Sequence, residues 1–142
     1  MTRDPNLDAK AQKCALIMRA NNKLSHTPPK SWKCWTEDGA LAAKRSNIST
    51  GPGVRSVDRY MVDNGAHNAA SLGHRRWILS RSLDKIGVGS TASKSSCLWV
   101  IGGKGKAARK WVAWPPDGEV PLAAFGQGGG SIDQTGWSLQ SD

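Results

Sequence analysis

Apolar residues recur at helical spacing through the first half of the chain. Over residues 5–23 they return every three or four positions and form one face, which predicts an amphipathic helix. Asp4 is placed to cap this helix, and Pro5 suits its first turn. Pro28 and Pro29 predict a turn after it, because two prolines do not continue a helix. The same reasoning predicts shorter helices at about residues 38–46, 54–64 and 73–79.

Short apolar runs typical of strands follow in the second half. Residues 85–89 alternate Ile and Val with glycine, and the runs 98–101 and 111–114 flank a loop rich in Gly and Lys. That arrangement predicts a hairpin with a long loop. The chain is loop-like from Trp114 onward, with a flexible glycine segment at 126–130, and residues 137–139 predict a last edge strand. Helices first and strands last predict an α+β layered fold.

A length of 142 residues favours one domain. We expect residues 1–114 to form it, with 115–142 as a Pro/Gly-rich acidic C-terminal extension packed on the same domain. Seven Trp residues against one Tyr and one Phe indicate that several tryptophans anchor the core.

The charge is distributed unevenly along the chain. All 20 Lys and Arg residues lie in residues 1–110 against seven acids, which gives this part a net charge of +13, whereas residues 111–142 carry four acids and no base. A basic body suits anionic partners such as anionic lipid or an acidic cell-wall polymer, although a merely solvated basic surface explains it too. The candidate contacts lie in one predicted loop: Lys104, Lys106, Arg109 and Lys110.

Several classes of function lack their sequence signal. The chain has no RNA-binding aromatic signature, helix-turn-helix signal or zinc-finger spacing, so we expect no sequence-specific nucleic-acid partner. No apolar run approaches the ~18–20 residues of a membrane span, and no basic start followed by an apolar stretch marks a signal peptide.

Gly87-Val88-Gly89 is not a dinucleotide fingerprint, and we interpret its glycines as letting a strand approach a neighbouring backbone. The loop 102–106 fails the phosphate-loop spacing.

The chain has three cysteines, which allow one internal disulfide. Cys14 and Cys34 flank the proline turn, and we expect them to form it. Cys97 lies in an apolar run and is predicted to be a buried free thiol. The absence of a C-x-x-C motif disfavours a zinc ribbon and thioredoxin chemistry.

Two segments resemble the signature of the CAP superfamily (SCP/TAPS domains), in its bacterial-type branch. They are Gly73-His74-Arg75-Arg76-Trp77-Ile78-Leu79 and the strand Lys85-Ile86-Gly87-Val88-Gly89. Upstream, Leu24-Ser25-His26 is similar to the first histidine of that family, which follows its long helix. The resemblance covers about residues 6–114, and it rests on the order and spacing of the motifs rather than on any single one.

The resemblance implies an α-β-α sandwich with a cleft lined by two histidines and two acids. The family's first helix has no counterpart here, so one face of the sandwich is expected to be open or covered by a partner. The histidines correspond to His26 and His74, and the second acid to Asp63. Ser46, followed by Asn47, stands where the family usually has Glu-Asn, and a hydroxyl supplies neither the charge nor the base.

The resemblance therefore implies a secreted or cell-surface binding module with a His-lined cleft that is not catalytic. Its ligand would be a small molecule or lipid, with zinc or another divalent metal as a possible cofactor on His26, His74 and Asp63. A metal-assisted hydrolase that uses the same three residues is the alternative. A basic adaptor for anionic surfaces, independent of the cleft, is the third interpretation.

Overall fold

A computed structural model gives the fold and describes residues 1–108, 110–121, 123–126 and 135–141. The helices are α1 (Pro5–Asn21), α2 (Glu37–Arg45), α3 (Val54–Val62), α4 (Gly73–Ile78) and α5 (Ala123–Gly126). The strands are β1 (Thr2–Arg3), β2 (Ser46–Ser49), β3 (Lys85–Ser90), β4 (Ser96–Trp99), β5 (Trp111–Trp114) and β6 (Ser138–Ser141).

The long helix begins at Pro5, as the sequence predicts, and ends at Asn21, two residues before the predicted end. The Asp4 carboxylate accepts a hydrogen bond of 2.9 Å from the backbone N–H of Asn6, and Pro5 occupies the first turn. Asn22 adopts a left-handed conformation directly after the helix, which ends it. The buried residues of this helix are Ala11, Cys14, Ala15, Ile17 and Met18.

The central sheet has the strand order β1–β3–β4–β2. It is mixed, because β1 pairs with β3 in parallel while β4 is antiparallel to both its neighbours. Side chains alternate along β4, so Cys97 and Trp99 pack with α1 and α2, whereas Leu98 packs with Tyr60 of α3. The protein is therefore an α+β fold with helices on both faces of a small sheet, which confirms the predicted α-β-α sandwich.

Two glycines allow α1 to lie directly on β3. A Cβ atom built on Gly87 would stand 2.4 Å from the carbonyl carbon of Leu7, and one on Gly89 would stand 2.1 Å from that of Ala11. Neither position has room for a side chain. The structural interpretation of the Gly-Val-Gly segment is thus confirmed.

The predicted hairpin between residues 98–101 and 111–114 is wrong. β4 lies between β2 and β3, so both its edges are already paired, and β5 pairs instead with β6. β6 is the edge strand that the sequence predicts near residues 137–139. The sequence reading missed β2, because Ser46–Ser49 is mostly polar although all four residues are buried.

The predicted Cys14–Cys34 disulfide is also wrong. Cys14 bonds to Cys97, with a Cα–Cα distance of 6.2 Å, and Cys34 is a free, exposed cysteine. The reason is the packing of the sheet: Cys14 lies on the buried face of α1, which contacts β4, whereas Cys34 lies on an exposed loop. Cys97 is therefore not a free thiol.

The C-terminal part contains the β5–β6 pair, at the two predicted strand runs, and α5, where the sequence predicts loop. The predicted flexible segment lies outside the described residues, except for Gly126 at the end of α5. The domain boundary at residue 114 stays a prediction. Within the described part of the chain, no helix is both long and apolar enough to cross a membrane.

Candidate functional site

A pocket of about 280 Å³ lies where the end of α2, the start of β2 and the start of α4 meet. The structure brings four of the sequence-predicted site residues to it, namely both histidines, Ser46 and Asn47. The lining residues are His26, Lys44, Ser46, Asn47, Asn68, Gly73, His74, Trp77 and Ile101.

His74 is held by a carboxylate behind it. Asp63, which follows the last residue of α3 in a left-handed conformation, is buried and places Oδ1 2.8 Å from Nδ1 of His74. Its Oδ2 accepts a hydrogen bond of 2.9 Å from the backbone N–H of His74, at the start of α4. A carboxylate only accepts, so Nδ1 carries the proton, and Nε2 of the neutral ring is left as an acceptor. The contact of 3.4 Å from Asn68 to the same nitrogen is longer and does not change this assignment.

His26 has the same tautomer for a different reason. Its Nδ1 lies 2.8 Å from the carbonyl oxygen of Ala43 in α2. Because a carbonyl oxygen only accepts, Nδ1 must donate, and Nε2 is again unprotonated in the neutral ring. Both histidines of the pocket are thus prepared to accept a hydrogen bond, or to bind a cation, through Nε2.

Ser46 and Asn47 lie on β2 and differ in their hydrogen bonding. The side-chain amide of Asn47 donates a hydrogen bond of 2.9 Å to the backbone carbonyl of His74. The backbone carbonyl of Asn47 accepts a hydrogen bond of 3.1 Å from the Tyr60 hydroxyl. Oγ of Ser46 is buried and has no hydrogen-bond partner among the residues described. Since buried hydroxyls are normally paired, this oxygen marks a place where a ligand or water would complete the site.

Asp63 does not occupy the place that the resemblance implies. It lies behind His74 rather than among the residues that line the pocket, and both its oxygens already accept hydrogen bonds. The described residues contain no group of three or more His, Cys, Asp or Glu that could hold a metal ion. In this geometry Asp63 orients the imidazole of His74, and the metal site on His26, His74 and Asp63 stays a prediction.

Arg75 is a buried residue that the sequence reading did not single out. Its side chain donates to the carbonyl oxygens of Met61 and Val62 at 2.5 and 3.1 Å, and so caps the end of α3. It also donates to the carbonyls of Thr135 and Gly136, just before β6. Burial lowers the pKa of Arg75, and the nearby charge of Asp63 opposes that shift. Its position beside Arg76 in a basic run hid its burial.

Tyr60 supplies a spectroscopic test of the site. Burial raises the pKa of Tyr60 to about 12, while its hydroxyl contacts act in the opposite direction. The folded state therefore holds this proton more tightly than the unfolded state, whose tyrosine pKa is about 10. The resulting stabilisation is present below pH about 10 and is lost as the pH rises towards about 12.

Absorbance at 295 nm measures this directly, because Tyr60 is the single tyrosine of the chain. We expect the folded protein to titrate near pH 12 and the chain in guanidinium chloride to titrate near pH 10. A folded protein whose tyrosine titrates near pH 10 would contradict the burial of Tyr60 beneath the pocket.

The predicted basic loop is exposed where the structure describes it. Lys104, Lys106 and Lys110 are exposed, and Arg109 lies outside the described residues. Lys104 also lines a second hollow beside the His-lined pocket.

Comparison with known proteins gives one match. The family model named CAP, described as the cysteine-rich secretory protein family, matches residues 1–102. No curated protein and no solved structure matches the chain.

Proposed function

Because the chain belongs to the cysteine-rich secretory protein (CAP) family, we propose that it is an extracellular binding module whose His-lined pocket takes a small polar ligand. The observation that carries this proposal is the common tautomer of His26 and His74. In both rings Nδ1 is hydrogen-bonded to a protein oxygen, and Nε2 remains as an acceptor within the same pocket.

The pocket chemistry suits a ligand that carries hydroxyl or amide groups. Such a ligand can donate to the two Nε2 atoms and pair with the buried hydroxyl of Ser46. Lys44 adds a positive charge at the rim, and Trp77 offers a ring face. A lipid chain, the other ligand class under consideration, would find few apolar walls here beyond Trp77 and Ile101.

A resident zinc ion fits these residues poorly. A catalytic zinc site takes about three protein ligands, and the described part of the pocket supplies two imidazoles and the hydroxyl of Ser46. We therefore propose reversible binding of a divalent ion to His26 and His74 and derive no hydrolytic step through a metal. The metal-assisted hydrolase remains the alternative that a third ligand would favour.

An extracellular location is part of the proposal. The Cys14–Cys97 disulfide supports it, because disulfides persist in oxidising environments such as the cell exterior.

The adaptor interpretation is favoured by a separate observation, the net charge of +13 over residues 1–110. Anionic lipid or an acidic cell-wall polymer would be its partner, through Lys104, Lys106 and Lys110.

The proposal is tested by calorimetric titration with Zn²⁺ as the probe. We expect weak binding by the wild-type protein and none by H26A or H74A, since each change removes one of the two ligating nitrogens. The matched control is H67A, because His67 is exposed and lies outside the pocket. Equal affinities of wild type, H26A and H74A would overturn the assignment of the pocket.

Ser46→Glu places a carboxylate where the family usually has one. It is expected to raise Zn²⁺ affinity by about tenfold or more, because it supplies a third ligand. Circular dichroism confirms that the variant is folded. A folded S46E protein with unchanged affinity would show that position 46 does not reach an ion held by the histidines.

A further inference from the structure

We propose that a second hollow, next to the His-lined pocket, binds a small organic anion with an apolar body. The hollow has a volume of about 470 Å³ and lies between the start of α1, the end of α2 and the loop after β4. It shares Ile101 with the first pocket and is otherwise lined by different residues. The lining residues are Leu7, Leu41, Arg45, Asp84, Lys85, Trp99, Ile101, Gly102, Gly103 and Lys104.

The walls of this hollow are apolar. Leu41 is 40% exposed on α2, and Trp99 and Ile101 are half-buried beside it. The indole N–H of Trp99 donates a hydrogen bond of 3.0 Å to the carbonyl of Ile101, so the polar atom of this ring already has a partner. What remains of the side chain is apolar surface, which suits an aromatic or aliphatic ligand body.

The rim of the hollow is positively charged. Arg45, Lys85 and Lys104 face a single acid, Asp84. Lys85 lies 3.4 Å from the carboxylate of Asp4, whereas neither Arg45 nor Lys104 forms an ion pair with any residue that the structure describes. Two cations beside an apolar wall select for a negative charge on the ligand and against a metal ion.

The loop that carries Lys104 is fixed by backbone contacts. The carbonyl of Arg45 accepts hydrogen bonds of 3.0 and 3.1 Å from the N–H groups of Val100 and Ile101. Further along, the N–H of Gly105 donates a hydrogen bond of 2.8 Å to the backbone carbonyl oxygen of Ser82. A Cβ atom built on Gly103 would stand 2.2 Å from that same oxygen. The glycines therefore allow the loop to pack closely against Ser82, which fixes the backbone on both sides of Lys104.

The chemical class of ligand follows from both features together. A neutral apolar molecule would leave the charges of Arg45 and Lys104 without a partner, and an inorganic anion would leave Leu41 and Trp99 uncovered. A ligand with a carboxylate, sulfonate or phosphate on an aromatic or short aliphatic body would contact both the cations and the apolar walls. A separate hollow of about 320 Å³, which includes Val57, Val88 and Leu98, is almost wholly apolar and is the competing site for any apolar probe.

The test uses two dyes that differ in one charged group. The anionic probe is 8-anilinonaphthalene-1-sulfonate, and the neutral probe is N-phenyl-1-naphthylamine, which lacks the sulfonate. Fluorescence titration of the full chain is expected to show tighter binding of the anionic dye. R45Q/K104Q is expected to weaken that dye about tenfold, because it removes both unpaired cations, and to leave the neutral dye unchanged.

The matched control is K106Q, which removes a charge from the same loop but not from the hollow. It is expected to change the affinity less than twofold. Equal affinity for the two dyes, an unchanged affinity in R45Q/K104Q, or the same loss in K106Q would overturn the proposal. So would a loss of anionic-dye binding in V57S, which would place the dye in the apolar hollow.

Discussion

Replacement of the Cys14–Cys97 disulfide by two alanines is expected to lower the free energy of unfolding by about 4 kcal/mol. The bond joins α1 to β4 across a sequence separation of 83 residues. In the chain-entropy account, a loop of this length restricts the unfolded chain strongly, and its loss favours unfolding. Urea titrations of wild type and of C14A/C97A, followed by tryptophan fluorescence, measure the difference.

The matched control is C34A, which makes the same change at the free and exposed cysteine. It is expected to alter stability by less than about 0.5 kcal/mol. Peptide mapping under non-reducing conditions identifies the bonded pair independently. A Cys14–Cys34 peptide, or a loss below about 1 kcal/mol in C14A/C97A, would contradict the structure.

The sequence predicts local structure well where local interactions decide it. The start of the long helix is predictable, because its cap at Asp4 and its apolar period lie within one stretch of chain. β2 was missed because a strand of Ser, Asn, Ile and Ser has no apolar alternation, and it is stabilised by pairing with β4. The predicted Cys14–Cys34 pairing is wrong for a related reason, because proximity in sequence does not determine which helix face packs on which strand.

The candidate site shows the same division. The residues alone do not pair His26 with His74, which are far apart in sequence, and their pairing came from the resemblance to a family. The role of Asp63 depends on side-chain geometry, because a carboxylate that orients an imidazole and one that binds an ion have the same sequence pattern. The burial of Arg75 depends on the C-terminal segment, which folds back over it before β6.

Arg75→Met is expected to lower the free energy of unfolding by about 3 kcal/mol or more. Arg75 has no exposed surface, and its guanidinium satisfies the carbonyls at the end of α3 and those of Thr135 and Gly136. Methionine fills much of the volume but donates no hydrogen bond, so these carbonyl oxygens lose the guanidinium as a donor. The buried Asp63 also loses the favourable charge interaction with Arg75.

The matched control for this prediction is Arg76→Met, because Arg76 is the next residue on α4 and is exposed. It is expected to change stability by less than about 0.5 kcal/mol. Arg75→Lys keeps the charge but has three donors on one nitrogen in place of five spread over the guanidinium, so its loss should be intermediate. If Arg75→Met proves too unstable to purify, hydrogen exchange in Arg75→Lys at residues 135–141 replaces the denaturant titration. Protection there equal to that of wild type, or equal stability of the Met variants at positions 75 and 76, would show that Arg75 does not anchor the C-terminal strand.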